Sequence, residues 1–331
     1  MNRKTLAFAI VMGLALAHFA VAEGQSERKV DFPKRPIEMV IPFGAGGASD
    51  IFARQYAQIT EKFLGVSITP INKGAAGTIE GMTYAYNQAA DGYTILEITP
   101  SLLIVEALGK SPIKFRENFE PLLRVQSDLQ LIGVSKNSPF KSFQDLINYA
   151  KANPDKKLKI GGLSPGGLDD YIANGLAKAA GITWTYVPYK SGSEIKAAVL
   201  GGELDVYQDK LISFLPLAES GDIRTLVVLN DKRLTQIPVL ASVPCTVEMG
   251  ITFTQGSWRG FCVKKGTPPE VKKILIDALQ KAYETDAYKD MEKKEMTNIR
   301  PGYAMADEYR VIWDEEYKGY VEIFKQLGLI K

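Results

Sequence analysis

The sequence predicts an α/β protein of two domains, and three observations carry that expectation. Short β-type runs alternate with helical runs, which implies parallel strands joined by crossover helices. The alternation restarts after another strand-like run at 129–134, so it occurs twice. A chain of 331 residues also exceeds what one hydrophobic core usually serves.

In the first unit, residues 37–42 (Ile-Glu-Met-Val-Ile-Pro) read as a strand, 50–64 as a helix, 66–71 as a strand and 78–90 as a helix. A further strand at 93–98 is entered from the turn Asp91-Gly92. Such sheets place their binding crevice at the carboxyl ends of the strands. In the second unit, Ser142 with Asp145 three residues on forms a capping box for a helix to about 152, which Asn153-Pro154 ends. Strands at 158–161 and 183–187 flank a helix at 168–180 stopped by Gly181. A helix at 193–200, a short strand around 204–207 and a strand at 225–229 follow. Towards the C-terminus, Thr267-Pro268-Pro269-Glu270 supplies a cap, prolines suited to a first turn and a capping-box acid for a helix beginning near Val271. A last amphipathic helix covers 307–327, where Tyr309, Ile312, Trp313, Glu316, Tyr320 and Ile323 fall near helical spacing and the aromatic stripe predicts a core-facing side. With no low-complexity linker in the chain, ordered crossings are expected between the two domains.

The N-terminus reads as an export signal over residues 1–22: Arg3 and Lys4, an apolar stretch from Leu6 to Ala17, then Ala20-Val21-Ala22 before the cleavage point. A membrane anchor needs about 20 apolar residues, which this run lacks, and no cysteine near the cleavage point offers a lipid attachment. Removing Arg3 and Lys4 leaves 38 basic against 38 acidic residues, so neither nucleic acid nor an anionic membrane is indicated as the main partner. The single histidine, His18, lies within the signal. The remaining chain therefore cannot build a Ser-His or Cys-His nucleophile or a His-ligated zinc site. Cys245 and Cys262 can form a disulfide in an exported protein, or Cys262, set in Gly-Phe-Cys-Val, can be a buried small hydrophobe; the sequence leaves both open.

Function is concentrated in two similar stretches. Ile41-Pro-Phe-Gly-Ala-Gly-Gly-Ala-Ser-Asp50 and Ile160-Gly-Gly-Leu-Ser-Pro-Gly-Gly-Leu-Asp-Asp170 each join a strand end, a glycine-rich turn and an acid at the opening of a helix. A helix N-terminus presents unpaired N–H groups and the positive end of the peptide dipole, and glycine lets a ligand approach that backbone, so the expected guest is an anion. A hydrogen bond to a charged group contributes about 1.5–3 kcal/mol, whereas association costs about 4–15 kcal/mol. One loop would roughly break even, and two loops closing on a shared carboxylate would reach micromolar binding, about −8 kcal/mol. No P-loop run is present. The dinucleotide fingerprint fails because Ser49 stands at the third glycine and Asn72-Lys73 where a ribose-binding acid is wanted.

With these residues in view, the chain resembles the extracytoplasmic solute receptors of tripartite tricarboxylate transporters, also called Bug receptors. The resemblance is carried by Arg35-Pro-Ile37, Pro42-Phe-Gly-Ala-Gly-Gly47 with Asp50, Gly74-Ala-Ala-Gly77, Asp91-Gly-Tyr-Thr94, Val187-Pro-Tyr-Lys190, Gly201-Gly202 with Leu204-Asp-Val206, Ser242-Val-Pro244, and Gly256-Ser-Trp258 with Gly260. It implies a type II periplasmic-binding-protein fold: two α/β lobes, a ligand cleft between them and two crossing strands. Lobe 1 would comprise 33–127 and 256–331, and lobe 2 residues 128–255. The implied ligand residues are Phe43, Gly44, Ala45, Gly46, Gly47, Ser49 and Asp50 from the first loop and Ser164, Gly166, Gly167 and Asp170 from the second, with Thr78, Thr99, Ser101, Tyr189 and Asp209 as walls.

The second loop departs from the family pattern: Asp170 stands where a histidine is frequent, and Leu163 and Pro165 break the usual serine-and-glycine run. Asp170 would repel a second ligand carboxylate unless it caps its helix and points away. A monocarboxylate or an amine-bearing ligand thus becomes as credible as citrate. The expectation is a non-enzymatic, monomeric periplasmic receptor without cofactor or metal. It would capture a small carboxylate (a di- or tricarboxylate, an aromatic acid or an amino acid) and deliver it to membrane transporter subunits. The alternatives are a protein presenting the same ligand to a sensor, and an exported enzyme using carboxylates such as Asp169 and Asp209.

Overall fold

The computed structural model describes residues 30–75 and 78–331. The expected export signal, with Ala76 and Gly77, lies outside the described residues. β1 (Ile37–Ile41) is buried on both faces, as central parallel strands are: Ile37, Met39 and Ile41 enter one core and Val40 another. α1 (Ala48–Leu64) ends at Gly65 in the left-handed conformation. β2 (Ile68–Asn72) returns parallel to β1, with Ile68 opposite Ile37. α2 (Ile79–Asn87) leads to β3 (Thr94–Ile98), parallel to the other edge of β1. α3 (Pro100–Ala107) starts with Thr99 as its N-cap and Pro100 at the first position, and β4 (Phe119–Ser127) follows.

The chain then enters the second lobe. β5 (Gln130–Ser135) leads to α4 (Phe143–Ala152), which opens with the predicted Ser142–Asp145 capping box. Next come β6 (Leu158–Gly162), α5 (Leu168–Ala180), β7 (Trp184–Pro188), α6 (Gly192–Leu200), β8 (Tyr207–Lys210), α7 (Leu211–Glu219) and β9 (Ile223–Val228). β5 lies between β8 and β9, antiparallel to both, while β6 and β7 pair in parallel. A parallel bridge from Ile160 to Val206 joins the two sets.

β10 (Trp258–Lys264) carries the chain back and inserts between β3 and β4, antiparallel to each. α8 (Pro269–Tyr283), α9 (Asp286–Glu295), β11 (Ala304–Met305) and α10 (Ala306–Gln326) finish the first lobe, whose sheet order is β11-β4-β10-β3-β1-β2. The α10 stripe is core: Tyr309, Trp313, Tyr320 and Phe324 are fully buried. α10 also reaches the second lobe, where Tyr320 meets Tyr171 of α5 edge to face at 4.4 Å. The two crossing segments bond to each other: Asp128 N–H donates to the Ser257 carbonyl at 2.9 Å, and Ser257 N–H to Asp128 Oδ1 at 2.8 Å. Gly256 sits so close that a Cβ there would fall 2.2 Å from the Asp128 carbonyl oxygen.

Two expectations change and one open alternative is decided. Cys245 and Cys262 are free and buried, one bridging beside Val228 in the second lobe and the other at the centre of the first-lobe sheet opposite Leu96, so no disulfide joins them. The N-cap of α8 is Pro268 with no side-chain cap bond, while the Thr267 hydroxyl donates back to the Lys264 carbonyl. The strand expected at 204–207 lies three residues later, because Val206 is used for the bridge to β6 and the ladder to β5 begins at Tyr207.

Candidate ligand cleft

The two glycine turns have the same construction. Gly46 and Gly166 adopt φ of +78° and +69°, which glycine alone takes without strain, and Gly47 and Gly167 are the extended N-caps of α1 and α5. The third residue of each helix folds back onto its own turn: Asp50 Oδ2 accepts from Gly46 N–H at 2.9 Å, and Asp170 Oδ2 from Gly166 N–H at 2.7 Å. Two of the glycine amides expected to face a ligand are therefore already occupied. Gly167 N–H closes onto the Ser164 carbonyl, Leu163 N–H donates to Asp169 Oδ2 at 3.1 Å, and Pro165 has no N–H.

The two acids differ electrostatically. Burial pushes Asp50 up, but the Gly46 amide, the Asn72 amide and the Arg54 guanidinium, whose Nε lies 2.8 Å from Oδ1, hold it below the usual carboxylate range. Burial raises Asp170 above its ordinary value, outweighing its bonds from Gly166 N–H and Asn174 Nδ2. Asp170 thus caps its turn and points into the protein, as the sequence required if a carboxylate were to approach.

A cavity of about 480 Å³ lies between the lobes, in the usual range for small-molecule sites. Phe43, Thr78 and Ser101 line it from the first lobe and Ser164, Gly166 and Gly167 from the second. The N-termini of α2 and α5 border it, and α3 lies along it from Ser101 to Leu108. Thr78 is its most telling member: a β-branched residue with φ +83°, only 2% exposed, whose hydroxyl finds no hydrogen-bond partner among the described residues. Thr99 stands behind Ser101, its hydroxyl accepting the Ser101 N–H at 3.3 Å. The first turn is pressed onto this wall by Gly74, where a Cβ would lie 2.5 Å from the Phe43 carbonyl carbon.

Other predicted positions lie away from the cavity wall. Gly44, Ala45, Gly46, Gly47, Ser49 and Asp50 form the turn behind Phe43, and the next residues, Ala48 and Ile51, border a smaller cavity of about 200 Å³ with Lys210 and Arg259. Tyr189 packs towards Gly161, and Asp209 accepts the Tyr207 hydroxyl and the Lys210 N–H, each at 2.8 Å. The sequence reading missed Ile79, Ile104, Val105, Leu108 and Lys110, which complete the larger cavity. It also missed Glu97, a fully buried carboxyl beneath the first turn of α1. Burial pushes Glu97 up to about 8, only partly opposed by Arg259 and the Ser49 hydroxyl.

Residues 52–329 match the model of the tripartite tricarboxylate transporter family receptor, TctC. The chain belongs to this receptor family. It is 31% identical to a Cupriavidus necator protein encoded in the gbd 5' region, the match covering 100% of this chain and 99% of that one. Its fold is similar to that of a TctC solute-binding protein from Polaromonas, with a TM-score of 0.79 at 24% identity, covering 89% of this chain and 99% of that one. An R. palustris protein solved with adipate is similar over 90% of this chain and 99% of its own, with 26% identity and a TM-score of 0.68. The receptor is accordingly a periplasmic-type solute-binding protein with the two-lobed α/β fold, and its family is one of binding proteins rather than enzymes.

Proposed function

We propose that this receptor works in the periplasm, reached through a cleaved signal at residues 1–22. There it captures a small carboxylate between its lobes, without chemical turnover, and hands it as a monomer to the membrane subunits of a tripartite tricarboxylate-type transporter. The lobes are assigned as 33–127 with 256–331, and 128–255. The observation that carries the reading is the Thr78 hydroxyl, a buried donor without a partner among the described residues, on the wall of an interlobe cavity that the N-termini of α2 and α5 border. Adipate in the R. palustris relative shows a carboxylate bound to a protein of similar sequence and fold.

The test is a thermal-shift screen of the purified protein against mono-, di- and tricarboxylates and amino acids. A ligand at 100 times its dissociation constant stabilises by about 2.7 kcal/mol, and a screen in which no carboxylate raises the midpoint would remove the proposal. Thr78→Val sharpens it. Losing a hydrogen bond to a charged group, worth about 1.5–3 kcal/mol, should weaken the best ligand at least tenfold. The ligand-free variant should be as stable as the parent or more so, because an unsatisfied buried hydroxyl has been removed.

A further inference from the structure

We infer that the ligand of this cleft is a carboxylate with a hydrocarbon body and a single charged end. The inference rests on the reading of the interlobe cavity as the solute site. The first lobe gives the charged end a place: the Thr78 hydroxyl, buried and unpartnered among the described residues, stands at the N-terminus of α2 on the cavity wall. A carboxylate there meets a hydroxyl that has no partner among the described residues and sits at the favourable end of the α2 dipole.

The opposite wall receives a second anion less well: its donors are the Ser164 hydroxyl and the first amides of α5, and Asp169 stands beside them. The amides of Leu163, Gly166 and Gly167 are bonded within their own turn, and Pro165 offers none. Asp169 lines the cavity and Asp170 follows it in the first turn of α5, so a second carboxylate would meet like charge next to those donors. Lys110, at the rim, is exposed and gives only a screened attraction. Between these ends the walls are hydrocarbon, supplied by Ile79, Ile104, Val105 and Leu108 from the first lobe and by Leu163 and Pro165 from the second. Leu163 is 46% exposed, leaving apolar surface at the cavity lip for a ligand to cover.

Calorimetric titration of the purified protein with butanoate, hexanoate and octanoate, alongside adipate, citrate and aspartate, tests this. Affinity should rise about fourfold per methylene, the increment for burying one CH₂, and hexanoate should bind about tenfold or more tighter than adipate. Leu163→Ser should flatten the dependence on chain length. A flat series in the parent protein, or citrate, adipate or aspartate binding tighter than every monocarboxylate, overturns the inference and leaves the receptor reading standing. Failure of every carboxylate to bind overturns the receptor reading itself.

Discussion

Glu97 shows how one buried side chain can govern the pH response of the whole fold. Its carboxyl is enclosed under α1 beside Ser49 and Arg259, with the Cys262 thiol nearby, and burial carries its pKa to about 8. A carboxyl raised on folding is bound to its proton in the native state while the unfolded chain has already released it. Its contribution to stability is full below the unfolded value near 4.5 and is lost as pH rises through 8. Each pH unit in that window costs up to about 1.4 kcal/mol. Glu97→Gln should therefore flatten the stability profile between pH 5 and 8 and be more stable than the parent at pH 9, as measured by urea unfolding. A parent whose stability is level across that range would contradict the assignment. Nothing in the sequence marked this residue, because one acid in Tyr-Thr-Ile-Leu-Glu-Ile does not disclose which face of the strand it occupies.

The two turn-and-helix elements look interchangeable in sequence, yet the structure gives their acids opposite electrostatics. Asp50 is held low by Arg54 and Asn72 against the pull of burial, so it adds stability at neutral pH that is lost on acidification. Asp170 is raised by burial and has only neutral donors. Asp50→Asn should thus cost roughly 1.5–3 kcal/mol at pH 7, the worth of a charged hydrogen bond, while Asp170→Asn should be near neutral or stabilising. Equal losses in paired chemical denaturation curves would refute the distinction. At this scale the sequence was informative wherever its pattern was regular: the strands at β1, β3 and β5 and the α4 capping box stand close to where alternation and capping residues placed them. It was silent on α3, where Leu102-Leu103-Ile104-Val105 carries no helical period, and on α7, interrupted by Pro216. β4 and β10 were missed as well, since Pro121 and Gly260 disturb their strand character. Missing α3 hid Ile104, Val105 and Leu108, and with them most of one cavity wall. The glycine turns were legible, but whether their amides point at a ligand or at their own aspartates depends on side-chain rotamers that spacing does not encode.

At the scale of the whole molecule, the lobes meet at the paired crossings and again where α10 packs against α5. Motion between them must bend the short segment around Asp128 and Ser257, where Gly256 is packed against backbone. Gly256→Ala has no flexible neighbour to displace, so the crossings must separate. It should destabilise by about 1–3 kcal/mol and alter ligand affinity although it lies outside the cavity, which parallel melting and titration experiments would register. Unchanged affinity would mean that the crossing geometry does not set the spacing of the lobes. The same clasp has a topological corollary. Residues 128 and 257 are neighbours in space although the whole second lobe is strung between them, so that lobe is a loop whose mouth is already shut. A few linking residues would suffice to reconnect the cut ends if it were excised or exchanged for the corresponding lobe of a relative, a graft this architecture is ready-made to accept.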